Sequence, residues 1–178
     1  MTALDKRTLR REIRAKIAKL SAKERDVASS QIFNEIESLP EVNEASVIAL
    51  FISLADEPVT ADIIEHFSRS KRVVVPRIEG DEMNFYDISE GVQPGAFGIL
   101  EPTAATPSEP SEIDVMIVPG VAFTRNGARC GRGKGFYDKY ISCQGFRAYT
   151  IGVCYSCQIV DKLPTEEHDK TLNRVIYK

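Results

Sequence analysis

Residues 118–140 read VPGVAFTRNGARCGRGKGFYDKY. They follow Asp114-Val115-Met116-Ile117, so an apolar run ends at Pro119-Gly120, the pattern of a buried strand feeding a loop. The loop carries Arg125, Arg129, Arg132 and Lys134 among Gly127, Gly131, Gly133 and Gly135. A helix is expected to open near Phe136 and to carry Tyr137, Asp138 and Tyr140. Strand, glycine-rich cationic loop, helix start: this order suits a phosphate. Glycines let backbone N–H groups approach an anion closely, and a helix N-terminus adds unpaired donors.

The stretch matches neither common phosphate fingerprint. A Walker A loop needs Gly where Ala128 stands and Ser or Thr where Gly135 stands. A dinucleotide loop needs a third Gly where Phe136 stands. The competing reading is a surface loop with solvated charges. Four basic residues with one acid near them, placed directly after an apolar strand, favour the anion site.

Around this stretch the chain alternates strands and helices. Leu9, Ile13, Ile17 and Leu20 make one apolar stripe over residues 5–20, a helix. At ~100° per residue Lys6 falls inside the stripe's arc and Arg10 at its edge, while Arg7, Arg11 and Lys19 point away. A lysine aimed at the protein body needs an anion or must reach out to water. Ser21-Ala-Lys-Glu24 is a capping box opening a second helix to about Ser38, which Pro40 stops. Ala45–Ser53 is expected as a buried strand, followed by Leu54–Pro58 and a helix from Asp62 to Ser68 capped by Thr60. Arg72–Pro76, Asp114–Val118 and Ala148–Val153 read as further core strands, Met83–Ile88 and Arg174–Tyr177 as additional ones, and Gly91–Pro110 as a long irregular connection. The pattern predicts one α/β domain over 1–178, a three-layer, mostly parallel sheet with helices on both faces. Ligands in such folds sit beyond the carboxyl ends of strands, where Ser53–Glu57 and the cationic loop both open.

Composition narrows the function. The net charge of −3 divides unevenly: residues 1–25 hold nine Lys/Arg and three Asp/Glu, the remainder 14 and 23. The acidic remainder argues against nucleic acid as partner. No apolar run of ~18 residues predicts a membrane span, and the basic start lacks the apolar core of a secretory signal. Cys130, Cys143, Cys154 and Cys157 are expected as reduced thiols of a cytoplasmic protein; Cys154-Tyr-Ser-Cys157 lacks the second pair a zinc site needs. Lys6, Arg10, Arg129, Arg132 and Lys134 suit a polyphosphate, and Asp138 suits Mg²⁺. Glu57 suits a substrate amine or amide, or is a carboxylate at a helix start. Tyr137 either stacks on a planar ligand or packs, and His168-Asp169 is either a metal-side group or a turn.

These residues, in order, resemble the 5-formyltetrahydrofolate cyclo-ligase (methenyltetrahydrofolate synthetase) family. The resemblance spans nearly the whole chain. It is carried by KRTLR (6–10), FISLADE (51–57), GILEP (98–102), VPGVAF (118–123), RCGRGKGFYDKY (129–140) and Leu163-Pro164 followed by His168-Asp169. It implies an ATP-dependent closure of 5-formyltetrahydrofolate, with or without a polyglutamate tail, to 5,10-methenyltetrahydrofolate through a phosphorylated formyl group, with Mg²⁺. It assigns ATP to Lys6, Arg7, Thr8, Leu9 and Arg10 and to Arg129, Cys130, Gly131, Arg132, Gly133, Lys134, Gly135, Phe136 and Tyr137. It makes Lys6, Arg132 and Lys134 catalytic, gives the folate to Arg10, Ile52, Glu57 and Tyr137, and gives the metal to Asp138 and Asp169. Cys130 replaces a usual aliphatic residue and Phe136 a common Tyr; neither change removes a charge. The family fold is similar to the sugar-phosphate isomerase and CoA transferase-like superfamily, and a monomer is implied. A sugar-phosphate or CoA site on the same fold, or a nucleotide or folate sensor without turnover, are the rival readings.

Overall fold

The computed structural model describes residues 5–95, 98–164, 166 and 168–178. Helix α1 (Lys6–Ile17) begins at the Asp5 N-cap, whose carboxylate accepts from the Arg7 amide. Helix α2 (Ala22–Glu37) opens on the expected capping box, with Ser21 and Glu24 satisfying each other's backbone N–H groups. Pro40 does more than stop α2: it occupies the first turn of a short α3 (Pro40–Glu44), where its missing N–H has no intrahelical partner to lose.

The apolar run at 45–53 pairs as a strand only over β1 (Val47–Ala49). Leu50 still donates to the Val74 carbonyl, but beyond it Thr60 takes over the ladder's groups. The Thr60 hydroxyl donates to the Phe51 carbonyl at 2.7 Å and accepts from the Ser53 amide at 3.0 Å. Thr60 therefore does not cap α4 (Ala61–Ser68) through its side chain, as the sequence pattern implied; it pins the chain that leaves β1. β2 (Arg72–Glu79) runs longer than its apolar stretch because β3 (Glu82–Asp87) returns antiparallel along it. The connection from Gly91 to Pro110 is not wholly irregular: β4 (Val92–Pro94) and β5 (Leu100–Pro102) pair antiparallel, with residues 96 and 97 between them outside the described set.

After β6 (Val115–Val118) the cationic loop is not a plain loop either. β7 (Ala122–Phe123) and β8 (Arg129–Cys130) form a small hairpin, and α5 (Phe136–Ile141) follows. β9 (Tyr149–Cys154) and β10 (Arg174–Tyr177) complete the main sheet. Its order is β10-β9-β6-β1-β2-β3, parallel throughout except β3. The chain winds from β1 toward β3, then crosses back to β6 and onward to β10. The β1/β6 boundary is thus a topological switch point.

Alternate residues of each strand serve alternate faces. Ile48, Val73, Val75, Ile117 and Val153 pack under α2 and α4. Ala49, Val74, Met116 and Val118 pack against Phe85, Phe123 and α5's Tyr140 on the other side. Gly152 in β9 has a physical reason: a Cβ there would meet the Phe123 ring at 2.7 Å and Leu172 at 2.8 Å. A third apolar cluster joins Leu9, Ile13 and Ile17 of α1 to Val121, Ala122 and Cys130 of the hairpin. That cluster mounts the N-terminal helix at the carboxyl edge of the sheet. No described helix is long and apolar enough to cross a membrane.

Candidate active site

At the switch point lies a cleft of about 1030 Å³. It is lined by the segments that follow β1 and β6, by α1, and by Glu166, His168 and Asp169. Ile78, Met83, Ile99 and Leu100 from β2, β3 and the β4–β5 segment add apolar lining. The volume is at the upper end for one small ligand and suits two substrates side by side.

Helix α1 delivers Lys6 and Arg10 to this cleft as the helical geometry predicted; Arg7, expected to point away, also lines it although it is exposed, and Arg11 is exposed and does not. The Lys6 ammonium lies 2.9 Å from Asp169 Oδ2 and 3.1 Å from Glu166 Oε1, its side chain only 19% exposed. Burial works against the Lys6 charge, but the two carboxylates outweigh it and raise its pKa. Burial likewise opposes the Asp169 carboxylate, and Lys6 with the Glu166 amide holds it below the ordinary range. Leu9 is buried in the α1 cluster, and neither it nor Thr8 lines the cleft.

Arg10 Nε donates to the Gly131 carbonyl at 2.7 Å. Gly133, at φ +108°, lies flat against the Arg10 guanidinium; a Cβ there would sit 3.6 Å from its carbon. Glycine therefore lets the loop backbone bend over the cation in a conformation other residues rarely adopt. Hairpin residue Arg129 is almost fully enclosed, paired with Asp138 at 2.8 Å and donating to the Pro119 carbonyl at 3.2 Å. Its Nε has no partner among the described residues. Asp138 also accepts from the Lys170 amide at 3.1 Å, so both its oxygens are engaged. Among the described residues Lys134 has no ion-pair partner and projects into the cleft.

Arg132 spans the cleft to the segment after β1. It meets Glu57 Oε1 through Nη2 at 2.9 Å and through Nε at 3.2 Å, and Asp56 Oδ2 at 3.2 Å. Burial opposes the Arg132 charge, and Asp56 and Glu57 overcome it to raise its pKa. Asp56 is pushed up by burial and pulled down further by Arg132. Glu57 is buried, and its second oxygen accepts from the Leu54 amide at 2.9 Å. Ile52 lines the same wall. Burial raises the pKa of the Tyr137 phenol, which lies between Phe85 and the Arg129 guanidinium. Burial also pushes up the Cys130 thiol, which packs among α1 residues.

The structure thus gathers Lys6, Arg10, Arg129, Arg132, Lys134, Glu57, Ile52, Tyr137, Asp138 and Asp169 around one cleft. Sequence reading passed over Asp56 and Glu166. Asp56 stands beside Glu57, and an acid pair facing a cationic loop was a usable signal; Glu166 offered none. Glu166, His168 and Asp169 place ligand atoms within 4.8 Å of one another, a donor set of oxygens and one imidazole. Asp138 is not part of that group.

A mostly parallel α/β sheet with a cleft at its switch point lined by both cationic and apolar side chains is the frame of a small-molecule enzyme. The chain matches the model of the 5-formyltetrahydrofolate cyclo-ligase family over residues 2–178, and it belongs to that family. It is 32% identical over 174 residues to the 5-formyltetrahydrofolate cyclo-ligase of Escherichia coli K12, covering 92% of this chain and 95% of that one. To the Mus musculus 5-formyltetrahydrofolate cyclo-ligase it is 29% identical over 190 residues, covering 97% and 93%. The NMR structure of Aquifex aeolicus 5,10-methenyltetrahydrofolate synthetase superposes with a TM-score of 0.87 at 30% identity, covering 98% of this chain and 90% of that one. A methenyltetrahydrofolate synthetase from Mycoplasma pneumoniae gives 0.80 at 27% identity, covering 97% and 98%.

Proposed function

We propose that the cleft converts 5-formyltetrahydrofolate and ATP to 5,10-methenyltetrahydrofolate, ADP and phosphate. The observation that carries this reading is the Arg132–Glu57 pair, which ties the phosphate-type loop to the acid of the facing segment across one cavity. ATP lies along the α1 and cationic-loop end, its phosphates met by Lys6, Arg10, Lys134 and the amides of 131–135. The folate lies along the apolar end, with Ile52 and Tyr137 against its planar rings and Glu57 accepting from its N–H groups.

In the first step the formyl oxygen forms a bond to the γ-phosphorus and the bond to the ADP oxygen breaks. In the second, nitrogen 10 attacks the formyl carbon and loses its proton, and phosphate departs with the original formyl oxygen. Phosphoryl transfer of this kind demands alignment and charge neutralisation more than covalent help. Lys6 and Lys134 supply positive charge where the phosphoryl oxygens accumulate negative charge, and Arg132 holds the two ends of the cleft in register. The oxygen-rich set at Glu166 and Asp169 fits Mg²⁺, which would neutralise phosphate charge. Asp138 sits one pairing away, orienting Arg129. The protein acts as a monomer in the cytoplasm, a setting its four free thiols favour.

Protein, Mg·ATP and 5-formyltetrahydrofolate mixed together should give the absorbance of the conjugated methenyl product. Absence of that signal above an enzyme-free control would overturn the reading.

A further inference from the structure

The chain leaves β9 at Cys154 and makes one tight turn, Ser156–Gln158, that no part of the proposed chemistry uses. Two of its side chains are nonetheless among the most enclosed polar groups of the protein, Tyr155 and Gln158, each 1% exposed. The Tyr155 hydroxyl donates to the backbone carbonyl of Glu57 at 2.9 Å, nearly a hundred positions away in the chain. Its ring packs with Leu9, Ile13 and Cys130, the cluster that mounts α1 and the β7–β8 hairpin. Gln158 accepts from the Tyr155 amide at 2.8 Å and donates to the carbonyls of Gly120 and Val121 at 2.9 and 3.0 Å. One turn thus fixes the start of the cationic loop on one side and the end of the 53–57 segment on the other.

We propose that Tyr155, held by Gln158, is a positioning residue that sets Glu57 in register with the cationic loop. This rests on the reading of Glu57 as a folate-binding group. A buried hydroxyl whose pKa is raised by burial stays a donor across the working range. A buried carbonyl that loses its donor shifts to find another, so the effect of removing the hydroxyl concentrates at Glu57.

The test is Tyr155→Phe, which keeps the ring and removes the hydroxyl. The KM for 5-formyltetrahydrofolate should rise roughly fivefold, the scale of one lost hydrogen bond, while the KM for ATP and kcat stay within about twofold. In a Glu57→Gln background the same substitution should add less than about twofold, because both changes act on one group. Equal rises in both KM values, no rise in either, or effects that simply multiply would overturn the proposal. Hydrogen exchange supplies a readout free of turnover: the Leu54 and Glu57 amides, both bonded within the segment, should exchange faster in Tyr155→Phe relative to those of Val115–Val118. Unchanged relative exchange overturns the coupling. Should the unsubstituted protein form no methenyl product, the functional reading falls, and the exchange measurement alone decides the role of Tyr155.

Discussion

At Lys6 a single, largely enclosed ammonium meets two carboxylates in the cleft, while its neighbour Arg7 borders the same cleft but is exposed. The difference in burial was readable from the sequence because ~100° per residue separates the two directions on a helix, although Arg7 still reaches the cleft's lining. It makes a sharp prediction. Lys6→Ala should lower kcat by about a hundredfold, as loss of a positioned charge-stabilising group does, and Arg7→Ala by no more than about threefold. Steady-state kinetics on both variants checks it, and equal mild losses would contradict the placement. The partners of these cations were less legible. Arg132 meets Asp56 and Glu57 across 75 or 76 positions of sequence, and Lys6 meets Asp169 across 163. Helical periodicity tells which way a side chain points, but it carries no information on what waits there.

Elements were legible where burial is two-sided. Val115–Val118, Arg72–Val75 and Tyr149–Cys154 are apolar, β-branched runs because helices or hairpins cover both faces of the central strands. The two small hairpins were not, since strands of two or three residues leave no alternation to detect. The Thr60 reading failed for a related reason: a threonine before a helix usually caps it, but here the same hydroxyl satisfies the chain leaving β1. Asp114 performs a similar service at the other end of β1, accepting from the Ser46 and Val47 amides at 2.9 Å and pairing with Arg147. Burial pushes its pKa up, and these donors outweigh burial and leave it lowered. A lowered carboxyl stabilises the fold above its unfolded pKa and loses that contribution as pH falls through the folded value. Hydrogen bonds to a charged group are worth about 2 kcal/mol, so Asp114→Asn should destabilise the fold on that scale near pH 7, with the gap to the unsubstituted protein closing in denaturant titrations as pH falls below about 4, the ordinary value of an unfolded aspartate. Gly133→Ala tests the loop itself. Its left-handed φ of +108° predicts a strain of about 1–3 kcal/mol, while the Cβ would meet the Arg10 guanidinium only at ordinary contact distance; the displaced loop should raise the KM for ATP with little change in that for the folate.

Across the whole molecule, the switch point organises the function. The segments after β1 and β6 diverge there, α1 is carried to the same edge by its apolar stripe, and the turn after β9 locks the arrangement from behind. A ligand that bridges these separate segments should stabilise all of them together. Mg·ADP at about a hundred times its Kd should add about 2.7 kcal/mol, which for a chain of this length raises Tm by roughly 5–10 °C in a thermal melt. Failure of any shift would mean the cationic end of the cleft does not take a nucleotide.

The proposed function turns on one step, the movement of a phosphoryl group onto the formyl oxygen before the ring closes. Labelling that oxygen with ¹⁸O and analysing the products by mass spectrometry tests this most directly. The label should leave in inorganic phosphate, one atom per turnover. Label recovered in water instead, with unlabelled phosphate, would show that ATP was cleaved without ever touching the formyl group.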